Sequence, residues 1–376
     1  MSLVLTEEQE ILQRTVREFV GSKSSMKRLR TLRDDRDGCG FSKELWLEMA
    51  QLGWLGIVIP EADGGAGLGF GDLMVVMEEL GRGLMPEPMI ATALLGAQAV
   101  LLGGTEAQKQ AHLPAIVSGE RLVALAYQEA KSRYAVDRVE ARAERAGRGW
   151  RLTGEKVQVL DGHVADTFVV SAKAPDGVTL FLVPRAAPGL TVERQHRIDD
   201  RGVALVHLAG VEVGDDAVLG DVGKGGALLE RVVDRATIAL TAEMLGGMTA
   251  AFEMTLAYLK TRVQFGVLIG TFQALKHRAA RLFIETELTR SVVMAAHAAL
   301  DDGADDTQVA RLAGVAKARS SDAYVLIGNE AVQMHGGIGM TDEHDIGFYL
   351  KRSRTAALTF GDAAWHRDRV ARLDGY

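Results

Sequence analysis

Residues 167–183 read TFVVSAKAPDGVTLFLV. Two short apolar runs rich in β-branched and aromatic residues flank Pro175, Asp176 and Gly177. Proline presets φ for a turn and glycine supplies a positive φ, so the pattern predicts two strands joined by a turn. Residues 203–208, VALVHL, predict a third strand. Between residues 122 and 222 the apolar runs stay short and are punctuated by Gly, Pro and Asp, which predicts a compact β domain.

On both sides the period becomes helical. Upstream, Thr6 with Gln9 three places on is a capping box, and Ile11, Leu12, Val16, Phe19 and Val20 follow at helical spacing. Ser42 opens a second helix that stops at Gly53, and residues 57–69 are too glycine-rich to hold one. Asp72 restarts a helix ending at Gly81, and Thr105 with Gln108 opens another expected to end near Leu113 and Pro114. Downstream, residues 228–261 predict one long helix, which requires a sizeable bundle. Gly246 and Gly247 inside it predict that another backbone packs there. Further helices are expected at 272–301, 306–332 and 342–358. The class is α+β with segregated elements: helices over 1–121, a β domain over 122–222 and a helical bundle over 223–376.

The chain has 376 residues, 47% of them hydrophobic and 25% charged, which suffices for a core and two or three domains. A net charge of -7 argues against a nucleic-acid partner, because phosphate neutralisation needs a basic excess. The single cysteine, Cys39, fits a reducing cytoplasm, no apolar run would span a membrane, and the opening MSLVLTEEQE lacks the marks of a signal peptide. A cytoplasmic protein with no membrane segment is expected.

Three stretches carry chemistry. Arg262, Gln264, Phe265 and Gly266, with Phe272 and Gln273 close behind, could clamp a pyrophosphate and cover a ring. The blander reading has Arg262 neutralise the end of the long helix. Residues 333–339, QMHGGIG, let backbone amides approach a phosphate, although the spacing is not that of a Rossmann fingerprint. Taken alone, that stretch reads better as a simple glycine-rich helix connection. His335, His344 and His366 lack metal-ligand spacing, so no metal is expected. The third stretch is LGWLGIVIPEADGGAGLG at 52–69, followed by EELGR at 78–82.

Together with LPAIVSGE, WRLTGEKVQV, ADTFVVSA, YLKTRVQFG, QMHGGIGM and YLKRSR, these pieces resemble the acyl-CoA dehydrogenase family over nearly the whole chain. The resemblance implies an N-terminal helical domain, a central β-barrel and a C-terminal four-helix bundle. It implies FAD, α,β-desaturation of an acyl-CoA by a glutamate base and flavin N5, and an electron-transfer flavoprotein as acceptor. Dimers or tetramers are implied too, because each FAD lies across a subunit boundary.

Residue by residue, Arg262, Gln264 and Phe265 match the family's clamp on the FAD diphosphate and adenine end, and Gln273 matches the glutamine of its F-Q. Gln333, Gly336 and Gly337 match the glycine-rich turn under the adenosine diphosphate. In the family these groups come from the neighbouring subunit. Asp234 and Arg235 match positions that face the acyl-CoA.

Elsewhere the chain departs from the pattern. Where the family has T-E-P-x-x-G-S-D, residues 128–135 read QEAKSRYA, which keeps only Glu129. Where it has W-I-T against the flavin ring, this chain has Gln158, Val159 and Leu160. The usual glutamate position holds Phe360, and the family's alternative position on the long helix holds Ala236. Neither side chain can accept a proton. Glu243 and Asp362 are the substitutes that can be named.

The expected protein is one subunit of a heteromeric acyl-CoA dehydrogenase, such as those of steroid side-chain degradation, completing the FAD site of a related subunit that carries the base. A self-sufficient homotetramer with a relocated base and a flavin-free interaction protein are the alternatives.

Overall fold

The computed structural model describes residues 4–36 and 38–376; residues 1–3 of the expected N-terminal domain, and residue 37, lie outside the described residues. The helices are α1 (Glu7–Lys23), α2 (Met26–Asp34), α3 (Lys43–Gln51), α4 (Phe70–Arg82), α5 (Ala97–Gly103), α6 (Glu106–Val117), α7 (Gly225–Thr261), α8 (Gln273–Asp301), α9 (Asp306–His335), α10 (Ile346–Leu358) and α11 (Ala363–Leu373). Packing divides the chain into two units: residues 32–68 with 86–236, and residues up to 31 with 69–85 and 237–376. The helix α7 starts in the first and continues in the second.

In the first unit, strands β1 (Val123–Ala126), β2 (Arg142–Ala146), β3 (Gly149–Leu160), β4 (Thr167–Ala174), β5 (Gly177–Pro184), β6 (Leu190–His196), β7 (Gly202–Gly214) and β8 (Val218–Leu219) make one sheet. Its order is β6-β7-β3-β2-β4-β5-β8, with β1 parallel to β4. The predicted hairpin is β4 and β5: Ala174 pairs with Gly177 across Pro175 and Asp176, and Gly177 takes φ +135°. Trp150, Phe168, Phe181 and Leu208 share one buried core, with Trp150 edge-on to Phe181 at 5.6 Å between centroids. Burying each such side chain stabilises the domain by about 1.5–3 kcal/mol. Both predicted capping boxes form, at Thr6 and Thr105.

Two local expectations are corrected. The helix opened by Thr105 passes through Pro114 to Val117. Proline removes only the bond its N–H would give to the carbonyl of exposed Gln110, which water can satisfy. The last predicted bundle helix starts at Ile346, because residues 341–345 form turns. Residues Met89–Gly96 form a wholly buried π-helical turn that no periodicity announced.

In the second unit α9 packs against α8, α10 and α11, while α4 packs against α1 and α8. The glycines of α7 have the predicted cause. A Cβ on Gly246 would overlap the Glu78 carbonyl, and one on Gly81 would overlap that of Glu243. Two helix backbones therefore cross at near contact. No helix among the described residues is long and apolar enough to cross a membrane. Gly246→Ala is expected to destabilise the fold by roughly 1–3 kcal/mol, because a rigid carbonyl must move. Urea unfolding measures this, and an unchanged midpoint would contradict the close crossing.

Candidate functional site

Beyond Thr261 the backbone N–H of Arg262 still donates to the Tyr258 carbonyl at 2.9 Å, so Arg262 leaves α7 in a fixed direction. A two-strand arm follows, β9 (Val263–Gln264) and β10 (Val267–Leu268), with Gln264 opposite Val267. Its turn is Phe265 and Gly266 at φ 53° and 79°, the pair of left-handed residues that the tightest hairpins require. For phenylalanine this conformation costs about 1–3 kcal/mol. Phe265 is nonetheless 90% exposed and meets Phe272 edge-on at 6.1 Å. Arg262, Gln264 and Gln273 are exposed, and among the described residues no hydrogen bond or ion pair engages the Arg262 guanidinium. The apolar surface continues on α8 through Phe283, Ile284 and Leu288, each more than half exposed.

In the same unit α9 ends at His335 in the glycine turn. Gly336 takes φ 65° and its N–H donates to the Gln333 carbonyl. Gly339 lies where a Cβ would stand 2.7 Å from the Val332 carbonyl oxygen and 2.9 Å from the His335 Cβ. Gly337 differs from both. Its φ is not left-handed and, among the described residues, nothing lies within 4 Å of where a Cβ would be. The chain itself does not require glycine there, and Gln333, Gly336 and Gly337 are all exposed.

The segment 128–135 belongs to the other unit. Glu129 is buried and fully occupied: its carboxylate accepts from the backbone N–H of Glu140 at 2.6 Å and of Ala141 at 3.0 Å, and from Lys156 Nζ at 2.6 Å. Lys156 also donates to Ser171 Oγ at 3.0 Å, and burial lowers its amine to about 8 against the raising effect of Glu129. Glu129 thus fastens the start of the segment to the sheet. Gln128 bonds within its own turn, its Nε2 reaching the Arg133 carbonyl at 3.3 Å. Gln158 is exposed at φ 53°, inside a register shift between Lys156 and Val159.

Phe360 is 5% exposed and left-handed at φ 62°. Two neighbours hold this turn. Lys317 Nζ donates to the carbonyls of Gly361 at 2.8 Å and Ala357 at 3.0 Å, and to Ser321 Oγ at 3.0 Å. The His366 Nε2 lies 3.2 Å from the Phe360 carbonyl. Burial, with Lys317 and Arg369 nearby, pushes that imidazole down to about 3, so it is neutral and Nε2–H donates. Asp362 caps α11, accepting the Trp365 N–H at 2.9 Å. Glu243 is buried, with Arg352 Nε at 2.8 Å and Nη2 at 2.7 Å from its Oε1. On the early part of α7, Asp234 and Ala236 are buried, and Arg235 donates to Gln98 Oε1 at 3.1 Å.

Family models match three segments in order: the acyl-CoA dehydrogenase N-terminal domain over residues 6–120, its middle domain over 124–210 and its C-terminal domain over 223–373. The chain belongs to the acyl-CoA dehydrogenase family. It is 32% identical over 373 residues to the acyl-CoA dehydrogenase IpdE2 of Mycolicibacterium smegmatis, covering 98% of this chain and 99% of that one. Among solved structures, a variant of the Tcur3481-Tcur3483 steroid acyl-CoA dehydrogenase is 34% identical, with a TM-score of 0.88 and 98% of each chain covered. The ChsE4-ChsE5 complex of Mycobacterium tuberculosis is 27% identical, with a TM-score of 0.90 and full coverage of both chains.

Acyl-CoA dehydrogenases are flavoprotein oxidoreductases of fatty-acid and steroid oxidation. In this member Arg262 leads into the arm that carries Gln264 and Phe265, Gln273 opens α8 just beyond it, and Gln333 stands in the last turn of α9 before Gly336 and Gly337. It sets Phe360, Asp362 and Glu243 in other surroundings, each engaged as described. The sequence did not single out Lys317, since a lysine on a helix is ordinarily solvated. Its place among Ala316, Ala318, Ser320 and Ser321 was the available signal.

Burial lowers the Lys317 amine to about 7, with Asp362 raising it and Arg352 lowering it further. Between about pH 7 and the ordinary lysine value near 10.5, the unfolded chain holds a proton that the folded chain has released. Stability from this group therefore rises with pH across that window and falls as pH drops toward 7. Urea unfolding of wild type and Lys317→Met at pH 7 and pH 9.5 should show the difference moving toward the wild type at the higher pH. A difference independent of pH would contradict the assignment.

Proposed function

We propose that this chain is a subunit of a heteromeric acyl-CoA dehydrogenase, lending its arm and glycine turn to FAD held with a related subunit that supplies the base. The observation that carries this is the state of the four base positions. Phe360 and Ala236 cannot take a proton, Glu243 is buried against Arg352, and Asp362 caps α11. A self-sufficient enzyme would need Glu243 freed from its partner, and breaking a buried pair costs about 3–5 kcal/mol.

The lending half fits a dinucleotide. Among the described residues nothing engages the Arg262 guanidinium, which suits it to bidentate contact with a diphosphate. Gly337 leaves open the space a Cβ would fill, beside amides able to face a phosphate. Gln264, Phe265 and Gln273 would cover the adenine end, and Gln333 would border the diphosphate. FAD, when bound, serves as hydride acceptor in α,β-desaturation of an acyl-CoA, with an electron-transfer flavoprotein as the proposed next acceptor.

The other half does not fit a flavin ring in the family's manner. Gln158 replaces a stacking aromatic, Leu160 replaces a hydroxyl, and segment 128–135 keeps Glu129 only as a fastening. Asp234 and Arg235 would then line a pocket that performs no chemistry of its own. The exposed apolar surface from Val263 to Leu288 supplies the area a related subunit would cover. Two of the similar structures are described as paired proteins, Tcur3481-Tcur3483 and ChsE4-ChsE5, which supports the same reading. The former is described as a steroid enzyme, so a bulky CoA thioester is the proposed substrate.

The chain purified alone should be colourless, and coexpression with its related subunit should give a yellow complex with acyl-CoA turnover. Full flavin content and turnover by the chain alone would overturn the reading. In the complex, Arg262→Ala should abolish flavin retention, whereas Glu243→Gln and Asp362→Asn should leave turnover unchanged. Gly337→Val should leave the melting temperature of the isolated chain unaltered and lower the flavin content of the complex several-fold.

A further inference from the structure

Tyr258, His335 and His344 form a three-ring stack inside one unit. Tyr258 and His335 lie 4.6 Å apart between centroids at 34°, and His335 and His344 lie 4.4 Å apart at 54°. Tyr258 closes the triangle edge-on to His344 at 6.4 Å and 82°. Each ring belongs to a different piece of chain. Tyr258 sits one turn before Arg262 and accepts its backbone N–H through the main-chain carbonyl at 2.9 Å. His335 is the last residue of α9, immediately before Gly336 and Gly337. His344 stands in the turns after Met340 and accepts the Ile346 N–H on Nδ1 at 3.2 Å.

His335 is fixed in orientation. Its Nδ1 lies 2.7 Å from the Ala331 carbonyl, an acceptor only, so Nδ1 carries the proton. Its Nε2 is buried and, among the described residues, meets no hydrogen-bond partner, which leaves the ring to its two aromatic neighbours. A histidine buried with an unused nitrogen, between two other rings, serves by its shape.

We infer that the Tyr258–His335–His344 stack is the spacer that sets the distance between the Arg262 guanidinium and the Gln333–Gly337 turn. All three are positioning residues for the dinucleotide. The inference rests on the proposed lending of these groups to a flavin. Stacked rings resist both approach and slip, so Arg262 and the glycine turn move as one body. A diphosphate needs that, because its two ends are gripped from separate elements.

The test uses the flavin-bearing complex of this chain with its related subunit. Tyr258→Ala, His335→Ala and His344→Ala are compared with His335→Phe, and the readouts are FAD affinity and the flavin's visible circular dichroism. Each alanine variant should weaken FAD by roughly two- to tenfold, what an aromatic contact is worth, and change the dichroism. His335→Phe should restore most of both, because it keeps the ring and loses only the bond to Ala331. His344→Ala, at the half-exposed edge of the stack, keeps the test open if the buried variants fail to fold. Wild-type affinity and dichroism in the alanine variants would overturn the inference, as would His335→Phe behaving like His335→Ala. Loss of flavin in Arg262→Ala alone would leave the lending intact and remove only the stack. Absence of flavin from the wild-type complex would remove the functional reading itself.

Discussion

Lys317 is fully buried in the middle of α9, and its amine donates to Ser321 and to the carbonyls of Ala357 and Gly361. Those carbonyls end α10 and form the turn into α11, so one side chain joins three helices. Desolvating an amine is unfavourable, which is why its proton is held so loosely, and three acceptors offset much of that cost. The left-handed turn at Phe360 persists because it is held from α9 by Lys317 and from α11 by His366. The same α9 ends eighteen residues later, at His335, in the glycine turn. The Phe360 turn, proposed to lack the usual base, and the segment proposed to serve a neighbour are thus both placed by one helix.

That arrangement accounts for how a chain with Phe360 at the position proposed to have held the base keeps the shape of the turn. Two buried carboxylates, one in each unit, are satisfied internally: Glu243 by Arg352, Glu129 by Lys156 and two backbone amides. In a low-dielectric interior removing either partner of such a pair leaves the other charge uncompensated, so both pairs are held intact. The exposed groups are of the opposite kind. Arg262 has no internal acceptor among the described residues, Phe265 sits in solvent in a strained conformation, and Gly337 guards empty space. Features that are costly or unneeded within a chain make sense when another chain or a cofactor completes them.

Much of this was legible in the residues. The hairpin at 167–183, both capping boxes and the tight crossing at Gly246 follow from local chemistry and are present. The family followed from the order of many weak motifs, none decisive singly. What stayed hidden depends on contacts distant in sequence. The lysine of α9 reads as an ordinary surface residue until Gly361 is brought to it. Nothing in HGGIGMTDEH announces that His335 and His344 stack on Tyr258, more than seventy residues upstream. The π-helical turn at Met89–Gly96 has no periodic signature, and Pro114 misled because a helix near its end tolerates a missing N–H.

The central claim is that the chain contributes half of a shared flavin site and leaves its own unused. The most direct test is the flavin stoichiometry of the purified complex, measured by native mass spectrometry with its related subunit. The account predicts a single FAD for each pair of chains. A complex carrying one FAD on every chain, this one included, would contradict it.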